Sequence, residues 1–178
     1  MDDSAHALPL TDLFGGAVPG AMQRTAHLSP CRCYRYALWR RWGPGSYAMF
    51  VGLNPSTADE LNDDPTIRRC IGFARAWGYE ALCMANLFAY RATKPAVMKK
   101  APDPCGPDND STLQELAQNA GVVVAAWGAN GTHQGRDRAA RLLLPSLHYL
   151  KLTKNGHPGH PLYLPASLKP QPWANPAP

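Results

Sequence analysis

The sequence predicts an α/β domain of three layers (α/β/α), in which helices cover both faces of a mainly parallel, four-stranded sheet. Short apolar runs alternate along the chain with segments of helical periodicity. Right-handed crossovers between such strands produce a parallel sheet. The chain has 178 residues, of which 45% are hydrophobic and 17% are charged, so it can bury the core of one ordinary domain.

The domain boundaries follow the composition of the chain. Residues 1–33 mix small, polar and proline residues without periodicity, which predicts a partly irregular N-terminal arm. Residues 34–168 carry the regular patterns and form the predicted domain. Residues 169–178 are a proline-rich tail.

The first half of the domain is predicted to contain three strands and a helix. Residues 34–42 (YRYALWRRW) alternate as a half-buried strand would, and residues 47–53 (YAMFVGL) form the first core strand after a GPGS turn. Apolar side chains then recur at helical spacing between Asp64, which is suited to cap the helix, and Gly78, which is suited to end it. Residues 79–90 (YEALCMANLFAY) form the second core strand.

The second half repeats the alternation of strands and helices. Its predicted elements are a proline-rich loop at 91–109 with one short helical turn, a helix at 108–121, the third core strand at 122–128, a helix at 133–146, the fourth core strand at 147–153 and a closing loop at 154–165.

Unusual residues collect where the four core strands end. In open parallel sheets, ligands bind outside the carboxyl ends of the strands. The residues are Asn54-Pro55-Ser56, Asn86 with Phe88, Trp127-Gly128-Ala129-Asn130, and His157 with His160. Their convergence on one edge predicts a binding or catalytic site.

Each of these features also has an ordinary structural explanation. Asn, Pro and Ser are common turn residues, and loop histidines need have no task. The acidic cluster between Asp59 and Asp64 most simply complements a helix dipole, although a metal site is also conceivable. Asn86 is harder to explain in this way, because a buried amide without partners costs a few kcal/mol by typical estimates.

Composition limits the class of protein further. The net charge of +5 and pI near 9.1 are compatible with binding a polyanion. No apolar run approaches the roughly 20 residues of a membrane span, and the N-terminus has no secretory-signal order. Five cysteines without a C-x-x-C pair favour free, reduced thiols in the cytoplasm. We therefore expect no metal, no cofactor and no membrane partner.

Four stretches resemble motifs of the uracil-DNA glycosylase superfamily. GLNPS is similar to the first motif of its mismatch-specific branch, and MANLFAYRAT to the strand that supplies a base-reading asparagine. VVVAAWGANG and HPLYL are similar to two later motifs, and all four follow the family's order. More narrowly, the pattern LNPSTAD…DDPTIRRC…NLFAYRAT…HPLYL resembles the bacterial family DUF1643.

The resemblance implies a glycosylase-like fold and a DNA glycosylase that excises uracil or another deaminated or modified base. Asn54 would orient the attacking water. His160, or alternatively His157, would face the base O2. Asn86 would read the Watson–Crick edge of the flipped base, and Phe88, or Phe50 beside the strand end, would stack on it.

The remaining candidate residues would complete the site and hold DNA, whether single- or double-stranded. The base pocket would be completed by Gly52, Leu53, Pro55, Ser56, Trp127 and Gly128. Phosphates would be bound by Arg91, Lys94, Lys151 and Lys154, unless these are ordinary surface charges. We expect a monomer.

Three alternatives remain open on the sequence alone. The same fold could bind a modified base or nucleic acid without cleaving it. It could also process nucleosides or nucleotides rather than DNA. A metal-dependent hydrolase using Asp59, Asp63, Asp64 and a histidine is the third, but no ligand spacing supports it.

Overall fold

The computed structural model describes residues 21–144 and 146–174. Its strands are β1 (Gln23–Leu28), β2 (Arg35–Arg41), β3 (Tyr47–Gly52), β4 (Ala81–Asn86), β5 (Val122–Ala125), β6 (Leu147–Tyr149) and β7 (Gln171–Pro172). Its α-helices are α1 (Pro65–Ala76), α2 (Pro95–Met98), α3 (Asn109–Asn119) and α4 (Arg136–Leu143). Short 3-10 helices span Ala129–Gly135 and Pro161–Tyr163.

The strands form one mixed sheet in the order β1-β2-β4-β3-β5-β6-β7. Strands β4, β3, β5 and β6 are parallel neighbours. The pairings β1–β2, β2–β4 and β6–β7 are antiparallel. The α/β class is therefore correct, but the expectation of a four-stranded, mainly parallel sheet is wrong, because the sheet has seven strands and three antiparallel pairings.

The two end strands explain part of this error. Strand β1 lies within the predicted irregular arm, and its side chains are at most half-buried, so its sequence lacks the apolar alternation of a strand. Strand β7 is only two residues long and lies in the predicted tail. The first 20 residues of the predicted arm lie outside the described part of the chain.

Helix α1 begins as its sequence predicts. The Asp64 carboxylate accepts a hydrogen bond of 2.9 Å from the Ile67 amide, and Pro65 occupies the first turn. Gly78 follows the helix with φ +84°, a left-handed conformation that glycine adopts without strain. The predicted cap and stop are both confirmed.

Two apolar cores lie on opposite faces of the sheet, because alternate strand residues point to opposite sides. The core on the α1 side includes Leu38, Phe50, Ala58, Ile67, Phe73, Leu82, Met84 and Val124. The core beneath α3 and α4 includes Trp39, Met49, Val51, Cys83, Phe88, Leu113, Trp127 and Ala140. This three-layer arrangement leaves the carboxyl edge of the parallel strands for the candidate site.

Within the described ranges, none of the helices has the length and apolar character needed to cross a bilayer. All five cysteines are free; Cys70 and Cys83 are buried, and Cys31 and Cys33 are exposed.

Candidate functional site

The segments that follow β3 and β4 are joined at the carboxyl edge of the sheet. The Leu87 amide donates to the Gly52 carbonyl at 2.9 Å, and the Ala92 amide donates to the Pro55 carbonyl at 3.0 Å. These bonds hold the turn carrying Asn54 against the loop that follows Asn86. The sequence prediction that these two motifs lie at one edge is therefore correct.

Asn54 is fixed in orientation by its neighbours. Its side-chain Nδ2 donates to the Ala92 carbonyl at 2.7 Å and to the Pro55 carbonyl at 3.0 Å. Because both amide protons are engaged, the nitrogen and oxygen of this side chain cannot exchange places without facing like dipoles. The half-buried Asn54 therefore offers Oδ1 as a fixed hydrogen-bond acceptor.

Asn86 is the last residue of β4 and is 2% exposed. Its Nδ2 is buried without a hydrogen-bond partner among the described residues. A Cβ at Gly52, the opposite residue on β3, would lie 2.9 Å from Asn86 Oδ1. The absence of a side chain at Gly52 thus leaves space for Asn86. The unpartnered Nδ2 of Asn86 can donate a hydrogen bond to a ligand at the end of the strand.

The main chain beneath Asn86 is held by two buried residues that the sequence analysis missed. Asn109, at the start of α3, donates through Nδ2 to the carbonyls of Asn86 and Leu87 at 3.0 and 2.9 Å. Arg136, at the start of α4, donates to the Leu87 carbonyl and pairs with Asp110 at 2.6 Å. In a sequence, a polar residue at the start of a helix suggests only a helix cap. The contacts of Asn109 and Arg136 with the main chain after β4 therefore could not be predicted.

His160 lies just before the second 3-10 helix, which packs on α1. Its Nδ1 accepts from the Leu162 amide at 3.3 Å, which leaves the proton of the neutral ring on Nε2. Burial lowers the pKa of His160, while the negative charge of Asp64 acts in the opposite direction. His160 is therefore a neutral donor through Nε2–H.

His157 forms hydrogen bonds to the described residues only through its main chain. Its amide donates to Thr153 Oγ1 at 3.1 Å, and its carbonyl accepts from the Thr153 amide at 2.8 Å. Within residues 21–144 and 146–174 its imidazole has no hydrogen bond. Of the two candidate histidines, His160 is the one with a fixed ring.

Two predicted base-binding residues lie in the core instead. Phe88 is fully buried beneath α3 and packs against His133 at a centroid distance of 5.6 Å. Trp127 is buried on the same side and packs against Trp173 at 5.9 Å. Their burial leaves no free ring face for a base. Trp127 follows the alternation of β5, whereas Leu87 and Phe88 both lie in the core beneath α3, so the alternation of β4 ends at Asn86. Phe50 is also enclosed and stacks on Trp77.

The other predicted pocket residues surround the two turns. Gly128 has φ +67° and donates to the Pro158 carbonyl at 3.0 Å, which ties the end of β5 to the histidine loop. Pro55 is buried, whereas Leu53 and Ser56 are half-buried. Leu53 packs against the core beneath α3. Ser56 is therefore the one side chain of this group available to contact a ligand.

The four predicted phosphate-binding cations lie in two groups. Arg91 and Lys94 follow β4, whereas Lys151 and Lys154 follow β6, so the groups flank the carboxyl edge of the parallel strands. The three lysines are exposed, and Arg91 is half-buried.

The acidic loop between Asp59 and Asp64 is bound by arginines that the sequence analysis did not single out. Arg40 is buried and pairs with Asp63 at 2.7 Å. Arg24 pairs with the same carboxylate at 2.9 Å. Across the described part of the chain, no three His, Cys, Asp or Glu side chains come together to hold a metal ion. The acidic residues thus serve the fold of this loop.

These features define an α/β protein in which main-chain hydrogen bonds join the turn of Asn54 to the loop after Asn86 at the carboxyl edge of the parallel strands. The family model "Protein of unknown function (DUF1643)" matches residues 35–162. The chain belongs to this family. Comparison with curated proteins finds no match, and comparison with solved structures finds none either. The resemblance to uracil-DNA glycosylases thus remains a hypothesis.

Proposed function

We propose that the protein is a DNA glycosylase that hydrolyses the N-glycosidic bond of uracil or of another deaminated or modified base. The observation that carries the proposal is the fixed acceptor of Asn54, whose Nδ2 is held by the carbonyls of Pro55 and Ala92. Such an acceptor can hold one proton of a water molecule and direct its oxygen towards an electrophile.

Asn54 would act by positioning the water. An amide oxygen is a weak base, so the water attacks only as positive charge develops on the departing sugar. Orientation of a reactant can contribute several kcal/mol to a rate, and a misplacement of about 1 Å can cost about 10²-fold. The hydrogen bond of 2.7 Å to Ala92 supports this role, because it ties the amide to a second loop.

His160 and Asn86 would stabilise the leaving base. Negative charge accumulates on the oxygens of a departing pyrimidine, and fixed donors that face this charge lower the barrier. His160 has Nε2–H available because Nδ1 is engaged by Leu162, and Asn86 has an unpartnered Nδ2. A neutral imidazole suffices, since the transition state requires a donor and not an early proton transfer.

The fold gives partial support to the proposal. The strands that precede the motifs, β4, β3, β5 and β6, are parallel neighbours, as a glycosylase-like core would require. The antiparallel strands at both ends were not part of that expectation. Arg91, Lys94, Lys151 and Lys154 on either side of the edge would contact the phosphates of a strand whose target base is flipped out.

Release of free base from a labelled oligonucleotide tests the proposal. Single- and double-stranded substrates would carry uracil, hypoxanthine, xanthine or mismatched thymine. The wild-type protein is expected to release at least one of these bases and leave an abasic site. Asn119→Ala, on the exposed end of α3, is the matched control for Asn54→Ala. Failure to release any base from all these substrates would contradict the proposal.

A nucleic-acid or modified-base binding module is the second candidate. Asn54 also favours this second function, because its amide is a far weaker base than a carboxylate and so activates water poorly. Under this alternative the protein would bind the modified oligonucleotide in a salt-dependent manner and release no base. The two functions are therefore separated by one pair of measurements.

A further inference from the structure

Two arginines of β2 are almost completely buried but differ in their partners. Arg40 is 0% exposed, and each of its three nitrogens donates a hydrogen bond, to Asp63, to main-chain carbonyls of the acidic loop and to the Trp39 carbonyl. Arg35 is 2% exposed and donates only through Nη1, to the Ala58 carbonyl. Within the described ranges, its Nε and Nη2 have no partner, and Nε is buried.

Arg91 repeats this pattern. It donates through Nη1 to the Arg32 carbonyl at 3.1 Å, and its Nε is likewise buried without a partner in the described part of the chain. The two arginines come from adjoining main chains. The Arg35 amide donates to the Ala89 carbonyl at 2.9 Å, and the Arg91 amide donates to the Cys33 carbonyl at 2.9 Å. The two main chains thus adjoin at one junction, the charge of Arg91 acts on the Arg35 guanidinium, and the Nε of each arginine is buried without a hydrogen-bond partner among the described residues.

The charge at this junction is not balanced by an ion pair. Neither Arg35 nor Arg91 forms a salt bridge with a described residue. The pKa of Arg35 is lowered to about 10, chiefly by burial; the charge of Asp64 acts in the opposite direction, and the charges of Arg91 and Arg40 add to the lowering. The Asp64 carboxylate caps α1 through the Ile67 amide. Buried donors of this kind are normally satisfied, so the two arginines are candidates for binding a ligand.

The junction adjoins the candidate site. Ala58, which accepts from Arg35, lies four residues after Asn54 and packs in the core on the α1 side. Arg91 precedes Ala92, whose carbonyl holds Asn54. A group bound by the two arginines would therefore belong to the molecule that occupies the site.

We propose that Arg35 and Arg91 form a phosphate-binding subsite, in which the Nε–Nη2 edges of the two guanidiniums donate paired hydrogen bonds to phosphate oxygens. The planar fork of arginine matches a phosphate in this bidentate manner. The phosphate would come either from a nucleic-acid backbone or from a nucleotide. This inference goes beyond the proposed function, because a glycosylase, a binding module and a nucleotide enzyme would all use such a subsite.

The first test uses the wild-type protein. Its thermal midpoint is measured against increasing phosphate, with chloride at equal ionic strength as the reference. A larger rise of the midpoint in phosphate than in chloride is the expected result, growing with the logarithm of the phosphate concentration, since a ligand of the native state stabilises it by RT ln(1 + [L]/Kd). Equal midpoints in the two salts would overturn the proposal.

Lysine variants separate bidentate hydrogen bonding from simple charge attraction. An Arg→Lys change keeps the positive charge but removes the planar guanidinium that donates two parallel hydrogen bonds. We expect Arg35→Lys and Arg91→Lys each to bind inorganic phosphate at least about tenfold more weakly in calorimetry, as the loss of a charged hydrogen bond requires. Arg138→Lys, on the exposed surface of α4, is the matched control and should bind as wild type. Wild-type affinity in both site variants would overturn the proposal. If Arg35→Lys does not fold, the half-buried Arg91 still provides the test.

Two further ligands identify the source of the phosphate. Tighter binding of a nucleoside 5′-monophosphate than of its nucleoside would assign the subsite to nucleotides. Binding of an oligonucleotide without terminal phosphates, weakened in Arg91→Lys, would assign it to the backbone. Binding of inorganic phosphate alone would mark an adventitious ion and overturn the subsite. None of these experiments measures base release. The phosphate-binding proposal can therefore hold even if the proposed glycosylase activity is absent.

Discussion

The side chain of Asn86 occupies space that Gly52 leaves open on the neighbouring strand. The two residues are paired across β3 and β4, and a Cβ at Gly52 would lie 2.9 Å from Asn86 Oδ1 and 2.7 Å from Met84 Cε. Met84 can shift its flexible end, but Asn86 is enclosed. The glycine of the first motif is therefore required by the asparagine of the second.

We expect Gly52→Ala to destabilise the protein by about 1–3 kcal/mol, because overpacking of a well-filled core typically costs this much. It should also reduce ligand binding through displacement of Asn86. Denaturant unfolding measures the first effect. Gly72→Ala, on the exposed surface of α1 with no atom near its added Cβ, is the control and should be neutral or slightly stabilising. A Gly52→Ala protein as stable as wild type would show that Asn86 does not need this space.

Asn109→Asp should destabilise the protein by about 2–3 kcal/mol, because it removes two buried hydrogen bonds and points a carboxylate at the carbonyls of Asn86 and Leu87. Urea unfolding of Asn119→Asp, an exposed asparagine of the same helix, provides the comparison. Equal stability of the two variants would contradict the role of Asn109.

The wild-type protein should lose stability as the pH falls below about 6.5, the usual pKa of histidine. The pKa of His160 is lowered in the folded state, so the unfolded chain binds more protons in this range and folding becomes less favourable. Above that range the contribution is fully present. His160→Asn should flatten this part of the stability profile, whereas His157→Asn should retain it. A profile unchanged by His160→Asn would contradict the assigned burial.

Ser56→Tyr should suppress release of thymine more than release of uracil, if the proposed glycosylase activity is correct. In the main uracil-specific family, a tyrosine beside this motif blocks the thymine methyl, and a pocket rejects a larger base only where something fills that space. Rates on the two substrates are compared with those of wild type. An equal effect on both bases would show that Ser56 does not control access.

Periodicity was sufficient for the individual core strands and α1, but not for the strand number or for the antiparallel pairings of the sheet. The core strands, α1 and its cap Asp64 follow from apolar spacing and from the chemistry of helix ends. Strand β1 could not be predicted in this way, because its pairing with β2 depends on main-chain bonds and its side chains are only half-buried.

The site was predictable where a motif ends a strand, and less so elsewhere. The positions of Asn86, at the end of β4, and of Asn54, just after β3, follow directly from the strand pattern, whereas their roles stay predictions. Phe88 was misassigned because the direction of a side chain two residues beyond a strand depends on the loop. Arg35 was missed because a charged residue in a half-buried strand is normally solvated, and only the packing reveals its buried, unoccupied edge.

The most direct test of the account is the single-turnover rate of base release by wild type and by Asn54→Ala, on the substrate that wild type cleaves best. We predict a fall of about 10²-fold in the rate, since the variant keeps the main-chain bonds that join the two segments but loses the acceptor that orients the water. Affinity for the uncleaved oligonucleotide should change little, and Asn119→Ala should match wild type. An unchanged rate in Asn54→Ala would contradict the account.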